Sequence, residues 1–220
     1  MATEQQRQEI LQLHNRRYAA KTFDPERHIA DEDLDTILEA GRLSPSSFGY
    51  EPWKFVVLKD ETVRQKFKEI APGAMNAIDG GAEIVLILYK KDITYNSPYV
   101  KHIVEDTLGL EFSPESQVSQ IFKAFQEEMM VLSDEKAVNE WARHQVYIPL
   151  ANMMITAAYL NIDSCGIEGM LFEPVENILS ELGVMDRDEY GLACLLALGY
   201  RKEDIKPKFR RPFAEVVTFI

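Results

Sequence analysis

Glycine is scarce in this chain, 11 of 220 residues, and none of it forms a glycine-rich phosphate loop of the Rossmann or Walker type. Histidine is scarce too. The four that exist, His14, His28, His102 and His144, have no zinc spacing, and no Cys-x-x-Cys accompanies them. A Gly-x-Ser-x-Gly elbow is missing. Hydrolase chemistry and a resident metal are therefore poorly supported, and we expect no metal. No apolar run approaches the roughly 18 residues that span a bilayer. The opening Met1-Ala2-Thr3-Glu4-Gln5-Gln6 is polar and acidic, unlike a signal peptide. Positive charge is in deficit, 24 Lys and Arg against 36 Asp and Glu, for a net charge of −12. That balance argues against a nucleic-acid surface. Only two cysteines are present, Cys165 and Cys194, both in apolar surroundings. They read as reduced core thiols of a cytoplasmic protein. A catalytic role for Cys165 lacks a histidine nearby in sequence.

What is present suffices for a sizeable core: 220 residues, 46% of them hydrophobic. No internal repeat, low-complexity stretch or linker divides the chain, so residues 1–220 are expected to form one domain. Periodicity and caps predict helices over residues 3–14, with Thr3 as cap, and over 31–42, with Asp31 as cap and Leu34, Ile37, Leu38 and Leu43 facing inward. Strands are expected at 53–59, 84–89 and 191–198, with a closing edge strand at Val216–Phe219. Asp60 opens a helix that Ala71-Pro72-Gly73 ends. Residues 115–132 read as helical, with Phe122, Phe125, Met129 and Met130 near one face. Ser133 caps a central helix from Asp134 to Leu160, which Pro149 should bend by removing the donor for the Gln145 carbonyl.

Four stretches bear on chemistry. The loop Ser44-Pro45-Ser46-Ser47-Phe48-Gly49-Tyr50-Glu51-Pro52-Trp53 is rigid and hydroxyl-rich at the entrance to a strand. It is either a connector or a ligand-holding loop. Arg16, Arg17 and Lys21 gather in a short segment that breaks at Pro25. Arg201, Lys202, Lys206, Lys208, Arg210 and Arg211 form a second basic island near the end of the chain. Each island is either solvated surface or a phosphate site, since arginine offers a fork of donors. Ile162-Asp163-Ser164-Cys165-Gly166-Ile167-Glu168-Gly169 is either a tight turn or a close backbone approach to a flat ligand. Residues 92–113 either cover a site or form an irregular surface excursion.

Taken together these motifs resemble the nitroreductase family of FMN-dependent flavoproteins, in the family's order, from Arg17 to Arg210. The resemblance rests on Arg17-x-x-x-Lys21-x-Phe23-Asp24, Ser44-Pro45-Ser46-Ser47 before Glu51-Pro52-Trp53, Gln145-Val146-Tyr147, Gly166-Ile167-Glu168-Gly169 and Lys208-x-Arg210. It implies an α+β fold: a three-layer α-β-α sandwich with a mixed, mainly antiparallel central sheet and a long central dimer helix. It implies that Arg17, Lys208 and Arg210 hold the FMN phosphate, with Tyr18 and Ala19 alongside at positions where many members carry a small hydroxyl residue. Lys21 would lie where negative charge accumulates on reduction. Backbone N–H groups around Glu168 and Gly169, in the stretch Gly166, Ile167, Glu168, Gly169, would face flavin N5. Gln145 and Asn76 would bond the ring or ribityl edge. Pro45, Ser46 and Ser47 would come from a second subunit, and residues 201–220 would extend onto that partner. Phe48 and Phe125 are candidates for an aromatic wall facing the substrate. The activity implied is NAD(P)H oxidation coupled to reduction of a small nitroaromatic or quinone acceptor in ping-pong order, with no side-chain catalyst, in a homodimer that holds FMN at its interface. A dehydrogenase or dehalogenase acting on a defined metabolite, with residues 92–132 as its lid, is the alternative within enzymes. A flavin-binding protein with little turnover is the alternative outside them.

Overall fold

The computed structural model describes residues 1–220. Helix α1 (Glu4–Arg16) opens on a capping box. The Thr3 hydroxyl accepts the Gln6 N–H at 3.1 Å, and the Gln6 side chain accepts the Thr3 N–H at 2.8 Å. Helix α2 (Asp31–Arg42) is capped at Ala30, without a side-chain bond, and not at Asp31. Asp31, Glu32 and Asp33 occupy its first turn, where carboxylates complement the helix dipole. Leu34 and Ile37 are buried, whereas Leu43 is 65% exposed because it lies just past the helix, off the apolar stripe.

Strand β1 (Trp53–Val57) is followed by α3 (Glu61–Ile70), whose first turn is closed by Asp60 accepting the Val63 N–H at 2.9 Å. The short α4 (Met75–Asp79) leads to β2 (Glu83–Lys90). The excursion that follows holds α5 (Pro98–His102), a π-helical turn over Ile103–Thr107, α6 (Gln117–Ala124) and a second π-helical turn over Phe125–Met129. The widened turn takes Met129 and Met130 off the inward face, and both are exposed although Phe122 is fully buried.

The single helix expected over 134–160 is two helices, α7 (Glu135–Gln145), capped by Asp134 and not by Ser133, and α8 (Tyr147–Tyr159). They part at Val146, where Pro149 leaves the Gln145 carbonyl without a donor; the predicted bend is a break. β3 (Asp163–Ile167) lies in the stretch read as either a tight turn or a close backbone approach, neither of which is a strand; Asp, Ser and Gly are poor strand formers in isolation. Pairing with β4 overrides that preference. α9 (Phe172–Glu181) and β4 (Tyr190–Gly199) follow. The tail carries one helical turn, α10 (Phe213–Val216), in place of the expected edge strand at Val216–Phe219. An apolar run makes a strand only beside a partner ladder, and this segment pairs with neither sheet edge.

The sheet order is β1-β2-β4-β3, and every adjacent pair is antiparallel. The one parallel element is a bridge between Ala19 and Ser164. Both faces are covered, so β4, and β2 between its charged ends Glu83 and Lys90, are apolar. Ile84, Leu86 and Leu88 pack with Val63 and Phe67 of α3 and Val175 and Leu179 of α9. Val85 and Ile87 pack with Leu34 and Ile37 of α2 and Leu150, Met153 and Ala157 of α8. That is the expected three-layer α-β-α arrangement. The register slips between Ile87 and Leu88, which pair with Cys194 and Leu192; Ala193 is the extra residue. A third, smaller core gathers Tyr50, Ile93, Val100, Ile103, Phe122, Trp141 and Ala142 beneath the excursion.

Candidate functional site

The segment after α1 is tied down at both ends. Ala20 N–H bonds the Ser164 carbonyl of β3 at 3.2 Å, and Asp24 N–H bonds the Tyr200 carbonyl at 2.8 Å. Phe23 bridges Arg201, so the basic stretch between runs along the sheet margin. Glu203 fixes its middle. The carboxylate accepts the Lys21 N–H at 2.6 Å, the Thr22 N–H at 2.9 Å and the Thr22 hydroxyl. Burial acts to raise the Glu203 pKa, but these donors outweigh it and hold the carboxyl below its usual range. A folded-state pKa below the unfolded one gives stability that is present above the unfolded value and is lost as pH falls through the folded value. We therefore expect Glu203→Gln to lower stability by about 1–2 kcal/mol near pH 7. The difference in Tm between the two proteins should shrink toward pH 3. A gap that stays constant with pH would show that the charge on Glu203 is immaterial.

The second basic island comes back to the first. Lys208 Nζ donates to the carbonyls of Arg17, at 2.7 Å, and of His14. The two islands, far apart in sequence, then enclose a cleft of about 370 Å3. Arg17, Tyr18, Ala19, Lys206, Lys208 and Arg210 line it, with Pro207 and Phe209, and no carboxylate is among the lining residues. Burial and the neighbouring charges of Arg17 and Arg210 push the Lys208 ammonium below its ordinary pKa. Uncompensated positive charge of this kind suits a phosphate, which accepts forked donors from arginine and a point charge from lysine.

A second cleft, of about 240 Å3, is reached along the chain through Ala20 and Lys21. Its walls are Asn76 and Ala77 of α4, Gly73, and the run from Cys165 to Gly169. The Gly73 N–H donates to the Gly169 carbonyl at 2.8 Å. A Cβ at Gly73 would lie 2.9 Å from that oxygen, so only glycine lets these two backbones close the cleft. Lys21 Nζ lies 3.8 Å from Cys165 Sγ. A cation cleft next along the chain to a slot walled by glycine backbone fits a flat ligand that carries a phosphate.

Asn76, Lys21, Gly166, Ile167, Glu168 and Gly169 thus meet in one cleft, and Arg17, Tyr18, Ala19, Lys208 and Arg210 in the other. Pro45, Ser46, Ser47 and Gln145 line neither. They form a separate group, in which the Ser47 N–H donates to Gln145 Oε1 at 3.0 Å and Ser46 Oγ accepts the Glu51 N–H at 2.9 Å. Phe48, in the left-handed region at φ 58°, points its ring into an aromatic cluster. Its centroid is 4.6 Å from that of Phe122 and 5.2 Å from that of Phe125. Phe48 and Phe125 therefore do adjoin one another.

Three side chains to which the family resemblance assigns no role border the site. Tyr147 donates its hydroxyl to Glu168. Burial first, and that bond second, raise its pKa and keep it a neutral donor. Arg143 Nη2 lies 3.8 Å from the same carboxylate. Arg143 and Tyr147 are four residues apart across the α7–α8 junction, so one helical face presents both; that spacing was the available signal. Lys206 joins the cation cleft, and only the return of the tail reveals it.

Comparison with known proteins bears on this arrangement. The sequence model of the Nitroreductase family matches residues 15–200. A Staphylococcus aureus (strain bovine RF122 / ET3-1) protein named "Putative NAD(P)H nitroreductase" is 41% identical over 214 residues, covering 97% of this chain and 96% of that protein. Among solved structures, a Bacillus subtilis nitroreductase-type protein superposes with a TM-score of 0.78 at 24% identity, covering 96% of this chain and 99% of that one. An Exiguobacterium sibiricum structure, described as a "putative nitroreductase in complex with FMN", superposes with a TM-score of 0.73 at 18% identity over 100% of this chain and 99% of that one.

Proposed function

The chain belongs to the nitroreductase family, and from that premise we propose that it is an FMN-dependent oxidoreductase that takes electrons from NAD(P)H and passes them, in ping-pong order, to small nitroaromatic or quinone-type acceptors. The observation that carries this reading is the return of the tail onto Arg17, which makes two basic islands into one phosphate-sized cleft beside a glycine-walled slot. The FMN-bound relative from Exiguobacterium sibiricum and the NAD(P)H in the name of the Staphylococcus aureus relative support it.

On this reading Arg17, Lys208 and Arg210 hold the phosphate, and Tyr18 and Ala19 flank it. FMN, when bound, supplies a ring that accepts hydride from the nicotinamide and delivers two electrons to the acceptor. Lys21 and Asn76 line the slot that takes the ring, and Lys21 puts a positive charge beside it. The backbone from Gly166 to Gly169 walls the same slot and would hold the ring's edge. Tyr147 and Arg143 hold the Glu168 side chain, and with it the backbone on that wall.

The serine loop and Gln145 are a second half-site on the same chain. Two copies related by a two-fold axis would bring the half-site of each to the clefts of the other, so the site is complete only in a homodimer. Phe209, Phe213 and Phe219 in the tail, and Ile10 and Leu11 on α1, are exposed and supply apolar surface for such an assembly. Residues 201–220 would extend onto the second copy.

The test is spectroscopic. Purified protein, or protein reconstituted with FMN, should show a flavin absorbance that NADH or NADPH bleaches without oxygen and that a quinone or nitroaromatic restores. Flavin that stays oxidised with both nucleotides would favour the binding-protein reading. Failure to take up FMN would end the proposal.

A further inference from the structure

A cavity of about 300 Å3 lies under the excursion, and nothing so far uses it. Its apolar wall includes Phe48, Tyr50, Val104, Leu108, Leu110 and Phe112. Phe48 directly follows the serine loop, so the cavity opens beside the half-site assigned above to the cofactor. The volume sits at the low end of the roughly 300–1,000 Å3 usual for small-molecule sites.

The polar groups on the lining differ in what they leave free. Ser116 Oγ donates to Ser119 Oγ at 3.0 Å, and Ser119 Oγ donates to the Ser113 carbonyl at 2.7 Å. Those hydroxyls are satisfied within the chain. Tyr50 is only 2% exposed, and burial raises its pKa, so its hydroxyl stays neutral. Glu111 adds a carboxylate to the wall, which disfavours an anionic occupant.

We propose that this chamber selects electron acceptors bearing a neutral apolar substituent, of which an alkyl-substituted quinone is the type, by receiving the substituent past Phe48 while the reducible ring stays at the flavin. The inference rests on the oxidoreductase reading above. The overall reaction stays balanced as quinone, NAD(P)H and a proton giving quinol and NAD(P)+.

The test compares kcat/KM of the FMN-loaded enzyme for three 1,4-naphthoquinones, substituted at C2 with methyl, hexyl or an ω-carboxyhexyl chain. Hexyl should exceed methyl about tenfold or more, since each methylene seated in an apolar pocket favours binding. The carboxylated chain should lose that advantage and regain part of it in Glu111→Gln. Leu110→Trp, at an exposed position where the larger ring fills the chamber without disturbing a packed core, should abolish the hexyl advantage and leave the methyl compound unaffected. Equal rates for hexyl and methyl, or a hexyl advantage that survives Leu110→Trp, would overturn the inference while leaving the oxidoreductase reading intact. No turnover with the methyl compound would overturn that reading, and this inference with it.

Discussion

Replacing Arg210 by glutamine should weaken FMN binding about 10- to 100-fold while leaving the fold as stable as before. The guanidinium makes one hydrogen bond in the chain, to the carbonyl of its neighbour Phe209 at 2.7 Å. Little structure depends on it. Its charge works against the empty cleft, since it helps push the Lys208 ammonium below its ordinary pKa. Removing it relieves that repulsion, so the Tm of the FMN-free protein should hold or rise slightly. With a phosphate seated in the cleft the sign reverses. A hydrogen bond to a charged group contributes about 1.5–3 kcal/mol, and about 1.4 kcal/mol is a tenfold change in Kd. Salt should weaken binding less steeply in the variant, because one fewer charge is there to be screened. Lys208→Gln makes the control. Its ammonium also ties the tail to the carbonyls of Arg17 and His14, so that variant should lose both affinity and Tm. A flavin titration in which Arg210→Gln matches the wild type would remove the cation cleft from the cofactor site.

The contrast between these two cations also marks the limit of what the sequence could tell. That both islands are basic is plain from their residues. That they enclose one cleft follows from Lys208 reaching back to Arg17, a contact between positions nearly the whole chain apart. The strands β2 and β4 were legible because both sheet faces are buried and the apolar runs are unbroken. The caps of α1 and α3 were legible because Thr3 and Asp60 act within their own turns. β3 was not, since Asp163, Ser164 and Gly166 favour a turn locally and only the β4 ladder makes them a strand. The tail strand failed for the opposite reason: Val216 to Phe219 have the composition of a strand but no ladder to join. The sequence names the residues of both groups, but only the fold shows that they stand as two separate groups on one chain.

Asp163→Ala should cost about 3 kcal/mol and also loosen FMN. Asp163 is 7% exposed at the first position of β3, paired with Gly199 across the ladder. One oxygen accepts the Arg201 N–H at 3.1 Å, and the other meets the Arg201 guanidinium. Arg201 is where the chain leaves β4 to become the tail. Removing one member of a buried pair leaves the other desolvated and unmatched, which costs about 3–5 kcal/mol. The Arg201 side chain keeps 22% of its exposure, which favours the lower end. In a chain of this size that is a fall in Tm of about 6–12 °C. The effect on flavin follows from geometry. Arg201 and Glu203 are the two side-chain anchors between β4 and the basic residues of the tail, beside the Lys202 N–H that bonds the Thr22 carbonyl at 3.2 Å, and without the first the cations of the cleft lose part of their preorganisation. Tm and FMN Kd should therefore shift together in Asp163→Ala. The double variant Asp163→Leu with Arg201→Met replaces the pair with apolar groups and should recover most of the Tm. If the tail depends on the anchor and not on the charges, flavin affinity should recover with it. A Tm that falls in Asp163→Ala with Kd unchanged would mean that Glu203 and Lys208 alone hold the tail in register.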